Sequence, residues 1–100
     1  MKKPSTPKEF TKSLDQPGPG SIWPDELKAL WWDAKGNWEK AHELVDSLST
    51  PTAIWIHAYL HRKEGDQWNA EYWYRRARKP IPEKSLEAEF EDIVMAMIIS

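Results

Sequence analysis

Apolar residues recur at helical spacing along most of this 100-residue chain. Leu27, Leu30, Trp31 and Ala34 fall at i, i+3, i+4 and i+7, and Ala41, Leu44, Val45 and Leu48 repeat the pattern. Ile56, Tyr59 and Leu60 make a third stripe; Ala70, Trp73, Tyr74 and Ala77 make a fourth. A stripe of this period puts its apolar side chains on one face of a helix, and that face must be buried. The punctuation agrees. Pro24 suits a first helical position, where its missing N–H would have no partner anyway, and Asp25 and Glu26 then meet the positive end of the helix dipole. Gly36 and Gly65 can take the left-handed conformation that ends a helix, and Asn37 and Asp66 can cap the next one. Ser49-Thr50-Pro51 breaks one helix and starts another. After Pro80 and Pro82, Ser85 is a further N-cap, and Leu86, Phe90, Ile93, Val94 and Met97 form a last stripe beside the acidic run Glu87, Glu89, Glu91 and Asp92. The spacing predicts an all-α domain with helices near residues 24–35, 37–48, 51–64, 66–78 and 85–99.

The first four of these helices are two copies of one pattern. Gly65 minus Gly36 is 29, and that offset maps Leu27 onto Ile56, Leu30 onto Tyr59, Asn37 onto Asp66, Ala41 onto Ala70 and Val45 onto Tyr74. Caps and stripes in one register predict a helical hairpin used twice. The second copy, with Gly65-Asp66, Ala70, Trp73-Tyr74-Arg75-Arg76-Ala77 and the later Pro82, resembles a tetratricopeptide repeat, and its Tyr-Trp-Tyr-Arg-Arg-Ala run is similar to Sel-one-like repeats. The 29-residue spacing is shorter than the 34 of a standard tetratricopeptide unit, and Ala29 and Ala58 stand where that family usually has glycine. The string from Trp55 to Leu86 also resembles a set of short bacterial and fungal proteins, a likeness that implies no function. What the repeat resemblance implies is a concave face that binds protein or peptide, with Trp32, Trp55, His61 and Arg62 nearest to it. Two hairpins leave an end unit uncovered, so helix 85–99 is expected to cap them by packing over helix 66–78. Its surplus of Met95, Ile98 and Ile99 offers a homodimer contact, with a frayed end as the simpler expectation.

Residues 1–20 break the pattern. Pro4, Pro7, Pro17 and Pro19 interrupt a run of Lys, Ser, Thr and Gln with only Phe10 and Leu14 to bury, which predicts a disordered tail ahead of a single domain over 21–100. Seven Trp, three Tyr and two Phe then supply the core that so short a domain needs, at about 150 to 250 Å² per buried ring. The absence of Cys removes disulfides, thiolate metal sites and a Cys nucleophile. A net charge of −2 gives the domain no general attraction for nucleic acid, so any basic site must be local. No stretch approaches the roughly 18 apolar residues of a membrane span, nor the apolar run of an export signal, and a cytoplasmic protein is expected.

Three groups of residues carry candidate chemistry. His57 and His61, at i and i+4, present two imidazoles on one helix face and could chelate Zn²⁺. Ala58 stands where a metalloprotease has Glu, and the spacing fixes no third ligand, although Glu64 or His42 can approach. The pair therefore reads first as structural, and no cofactor is assigned. Arg75, Arg76, Arg78 and Lys79 end one helix and Arg62 and Lys63 another; with Trp68 and Tyr72 they offer the cation and aromatic mix that holds single-stranded nucleic acid. Basic residues at helix C-termini also complement the dipole, which is the simpler reading. Lastly, Trp32, Trp55, His61, Arg62, Trp68, Tyr72, Arg75 and Arg78 are the expected contacts for a protein or peptide partner, because Trp, Tyr and Arg dominate interfaces. The carboxylates Asp33, Glu39, Glu43 and Asp46 fall on polar faces, and no phosphate loop, nucleophile elbow or metal motif occurs, so an enzyme is not expected. A small interaction or scaffold module is the function these residues predict.

Overall fold

The computed structural model describes residues 2–100, and the described residues form helices and no strand. The helices are α1 (Pro7–Ser13), α2 (Asp25–Ala34), α3 (Trp38–Asp46), α4 (Pro51–Glu64), α5 (Gln67–Ala77) and α6 (Leu86–Ile99). Capping sets most of these starts: the side chains of Thr6, Asn37, Thr50, Asp66 and Ser85 each accept from the backbone N–H three residues on. Each such bond satisfies a donor that the first turn leaves free. The ends of α2 and α4 are closed alike. Gly36 and Gly65 share φ +86°, a conformation that side chains with a Cβ resist. Beyond them the Asn37 N–H donates to the Trp32 carbonyl and the Asp66 N–H to the His61 carbonyl, both at 2.9 Å. One turn thus builds both the α2/α3 and the α4/α5 hairpins, at the 29-residue offset read from the glycines.

The hairpins join where α3 lies against α4. Leu27, Leu30, Trp31, Ala41, Val45, Ile56 and Leu60, all from the predicted stripes, are buried in the main core, together with Ile93 of α6. Ala58, Ala70 and Tyr74 form a smaller cluster between α4 and α5. No helix among the described residues is long and apolar enough to cross a membrane.

Three features depart from the sequence expectations. The stretch expected to be a disordered tail instead runs back over the bundle and carries α1, with Phe10 only 3% exposed. Its few residues suffice locally: Thr6 accepts from the Glu9 N–H, Glu9 Oε1 accepts from the Ser5 N–H at 2.8 Å, and Pro7 fits the first turn. Trp31 Nε1 then donates to the Ser13 carbonyl at 3.1 Å and Trp23 Nε1 to the Lys2 carbonyl at 3.0 Å, so core tryptophans hold the segment down. Second, α6 packs chiefly on α4, with smaller contacts to α1 and α2, rather than over α5. The cause is its stripe, since Ile93, Val94 and Met97 enter the main core. Third, helices stop short: α3 ends at Asp46, two residues before the expected 48, and α5 at Ala77, one residue early, because Arg78 turns left-handed at φ 58°.

Candidate metal centre

The three histidines of the chain meet at the seam between the hairpins. Trp38, in the first turn of α3, donates its Nε1–H to the Leu60 carbonyl of α4 at 2.8 Å, and its ring stacks on His42 at 4.9 Å and 8°. This directs His42 toward α4, where His57 and His61 share a face one turn apart. His42 Nε2 lies 3.1 Å from His57 Nε2, and one ligand nitrogen from each of the three rings falls within 4.8 Å of the others. His57 and His61 are 2% and 8% exposed, and His42 is half-buried.

The surroundings prepare these rings as ligands. His61 Nδ1 donates to Glu64 Oε2 at 2.7 Å, which in the neutral ring leaves the Nε2 lone pair free; an outer carboxylate commonly orients a metal-bound histidine in this way. His57 is stacked under Trp73 at 3.8 Å, with the Arg76 guanidinium on that indole at 4.9 Å. Burial, and then the neighbouring His42 and His61, lower its pKa to about 4, so the ring is neutral at pH 7 and able to donate a lone pair. In a tetrahedral zinc site with bonds near 2.0 to 2.1 Å, ligand nitrogens stand about 3.3 Å apart. The His42–His57 pair is already at that separation, and His61 has a short distance to close. Asp46 Oδ1, 3.9 Å from His42 Nε2 on the exposed side, is positioned to supply a fourth ligand or to orient a water there. The residues therefore fit a divalent ion of the zinc type. His42, rather than Glu64, is the third member, while Glu64 takes the outer position. A second grouping of His61, Glu64 and Asp66 shares one histidine, but the Asp66 carboxylate is occupied in capping α5.

The residues expected to contact a partner separate into two sets. Trp55 and Arg62 are committed inside the molecule: Glu89 of α6, 1% exposed, accepts from Trp55 Nε1 at 3.0 Å, Arg62 Nη1 at 2.8 Å and the Tyr74 hydroxyl at 2.6 Å. His61 belongs to the histidine cluster, and Trp32 is half-buried with Lys40 over its ring at 4.4 Å. Trp68, Tyr72, Arg75 and Arg78 are exposed. Trp68 is 75% exposed, its ring parallel to that of Tyr72 at 6.5 Å. The basic cluster read as one group is also divided, since Arg62 pairs with Glu89 and Lys63 with Asp33.

Sequence reasoning missed Glu89, whose signal is its spacing of three from Leu86 and four from Ile93, on the buried face. Asp33, expected on a polar face, is instead 3% exposed, because Lys63 pairs with its carboxylate and makes its burial tolerable. Comparison of the chain with family profiles, characterised proteins and solved structures gave no match.

Proposed function

We propose that this protein is a small helical module that binds a first-row transition-metal ion, zinc in the first instance, through His42, His57 and His61. The observation that carries the reading is the convergence of three imidazole nitrogens within 4.8 Å, one from the first hairpin and two from the second. An ion held there would clamp α3 to α4. The geometry favours imidazole-binding metals over Ca²⁺ or Mg²⁺, which prefer oxygen.

The test is calorimetry of the tag-free protein with Zn²⁺, paired with melting in chelator and in excess metal. Zinc at a hundred-fold excess over its dissociation constant should stabilise the fold by about 2.7 kcal/mol. His42→Ala should remove that gain, since His42 is the only imidazole that the first hairpin brings to the site. An absent heat signal together with unchanged melting in the parent protein would refute the site.

A second reading rests on a separate observation, the exposed outer face of α5. Trp68 and Tyr72 stack in solvent, Arg76 lies over Tyr72 and Trp73, and Arg75, Arg76 and Arg78 enter no salt bridge among the described residues. This mix supports docking of a protein partner with an acidic surface. Nucleic acid is the weaker reading, because Arg62 and Lys63 are already paired.

A further inference from the structure

A cleft of about 500 Å³ opens beneath α1 and shares no lining residue with the histidine cluster. Its walls are Phe10 of α1, Tyr59 of α4 and Phe90 of α6; Phe90 sits 6.1 Å from Phe10 and 5.9 Å from Tyr59, ring centre to ring centre. Leu14 and Val94 extend the apolar lining. At one end lies Asp33, whose side chain is 2% exposed and pairs with Lys63 Nζ at 3.0 Å. Tyr59 stands near this carboxylate, and its pKa is raised by burial and then by the Asp33 charge, so the phenol stays protonated. Glu87 and Glu91 stand exposed at the lip, with Lys8 as the other cation. With Asp33 and Lys63 paired to each other, two carboxylates, Glu87 and Glu91, face one ammonium group, Lys8.

We propose that this cleft binds a small organic cation, an ammonium group on an aromatic or aliphatic body. The volume lies within the range of small-molecule sites. Phe10 and Tyr59 are each 3% exposed and form the floor, so the half-buried Phe90 is the ring that offers apolar contact and a negative face to an ammonium group. The acidic excess selects the sign: a ligand carboxylate would meet Glu87 and Glu91 with Lys8 alone to offset them, whereas an ammonium meets the reverse. Neither this site nor its test depends on metal.

The experiment is a titration followed by amide chemical shifts, using three probes of one shape: 3-phenylpropylammonium, 3-phenylpropanol and 3-phenylpropionate. The ammonium should bind saturably and about ten-fold more tightly than the alcohol, with the propionate weakest. Shifts should concentrate in α1 and α6. The double variant Glu87→Gln, Glu91→Gln changes two exposed side chains, so melting should hold while the ammonium falls to the level of the alcohol. Thr11→Trp, which fills the cleft from an exposed position, should abolish binding of the ammonium. Binding of the alcohol equal to that of the ammonium, tighter binding of the propionate, no saturable shift at millimolar probe, or an ammonium preference that survives the double variant would each overturn the proposal.

Discussion

At the scale of single residues, Glu89 decides more than any other polar side chain. A buried carboxylate is costly unless its oxygens are paired, and here Arg62, Trp55 and Tyr74 provide the pairing. Burial and then the bond to Glu89 raise the pKa of Tyr74, which keeps the phenol protonated as a donor. Glu89→Ala would leave a half-buried guanidinium and two further donors without their acceptor, and should cost about 3 to 5 kcal/mol in a denaturant titration. Trp68→Ala, on a ring 75% exposed, should change stability by no more than about 0.5 kcal/mol. The opposite ranking would mean that the faces of α5 and α6 are assigned wrongly. The position of Glu89 on the inner face was legible from its spacing to Leu86 and Ile93, but its partners were not. Trp55 and Arg62 lie 34 and 27 residues away, on a helix whose packing against α6 no local pattern specifies. His42 shares that history: it follows Ala41 of the stripe, yet its meeting with His57 depends on how two hairpins lie together.

Elements were legible where period and punctuation acted together. Both glycine-ended helices, both capped partners and α6 follow from stripes and caps. α1 did not, because a seven-residue helix with one large apolar side chain has no period to read, and a helix that short is unstable alone. It exists through docking. Phe10 enters the core, Trp31 bonds the Ser13 carbonyl, and Lys35 Nζ donates to the Leu14 carbonyl at 3.0 Å. The cost of Phe10→Ala is therefore capped at the free energy of docking this one segment. The expected outcome is a global loss of no more than about 2 kcal/mol, with amide exchange raised across α1 and little changed in α4. A loss of 4 kcal/mol or more, with exchange raised throughout, would show that α1 is part of the cooperative core.

At the scale of the whole molecule, the radius of gyration is 12.6 Å, close to the roughly 13 Å of a compact 100-residue domain. The two hairpins are accordingly one closed unit rather than an open array, and α6 achieves this by lying on α4. The apolar surplus at the C-terminus is absorbed only in part: Ile98 packs on the core, while Met95 and Ile99 remain exposed. The joint between hairpins is where acidity should act. His57 faces His42 across it, with His61 and Arg76 nearby and the Asp46 carboxylate opposing them. Its pKa is about 4 in the fold against an ordinary 6.5. The unfolded chain thus binds the extra proton first, and stability that is complete above pH 6.5 is lost as pH falls through 4. Allowing for screening at the seam, the loss should be about 1 to 2 kcal/mol. Acid acts on other groups of the fold as well, so the measurement is a difference. Denaturant stability of the parent and of His57→Gln, both in chelator, is compared from pH 7 down through pH 4 and below. Glutamine can keep a hydrogen bond to His42 but gains no charge. The parent should therefore lose more stability than the variant over this interval, and the two curves should run parallel again below pH 4. Parallel curves throughout would mean that His57 takes up its proton in the fold as easily as in water, and that the seam holds without its neutrality.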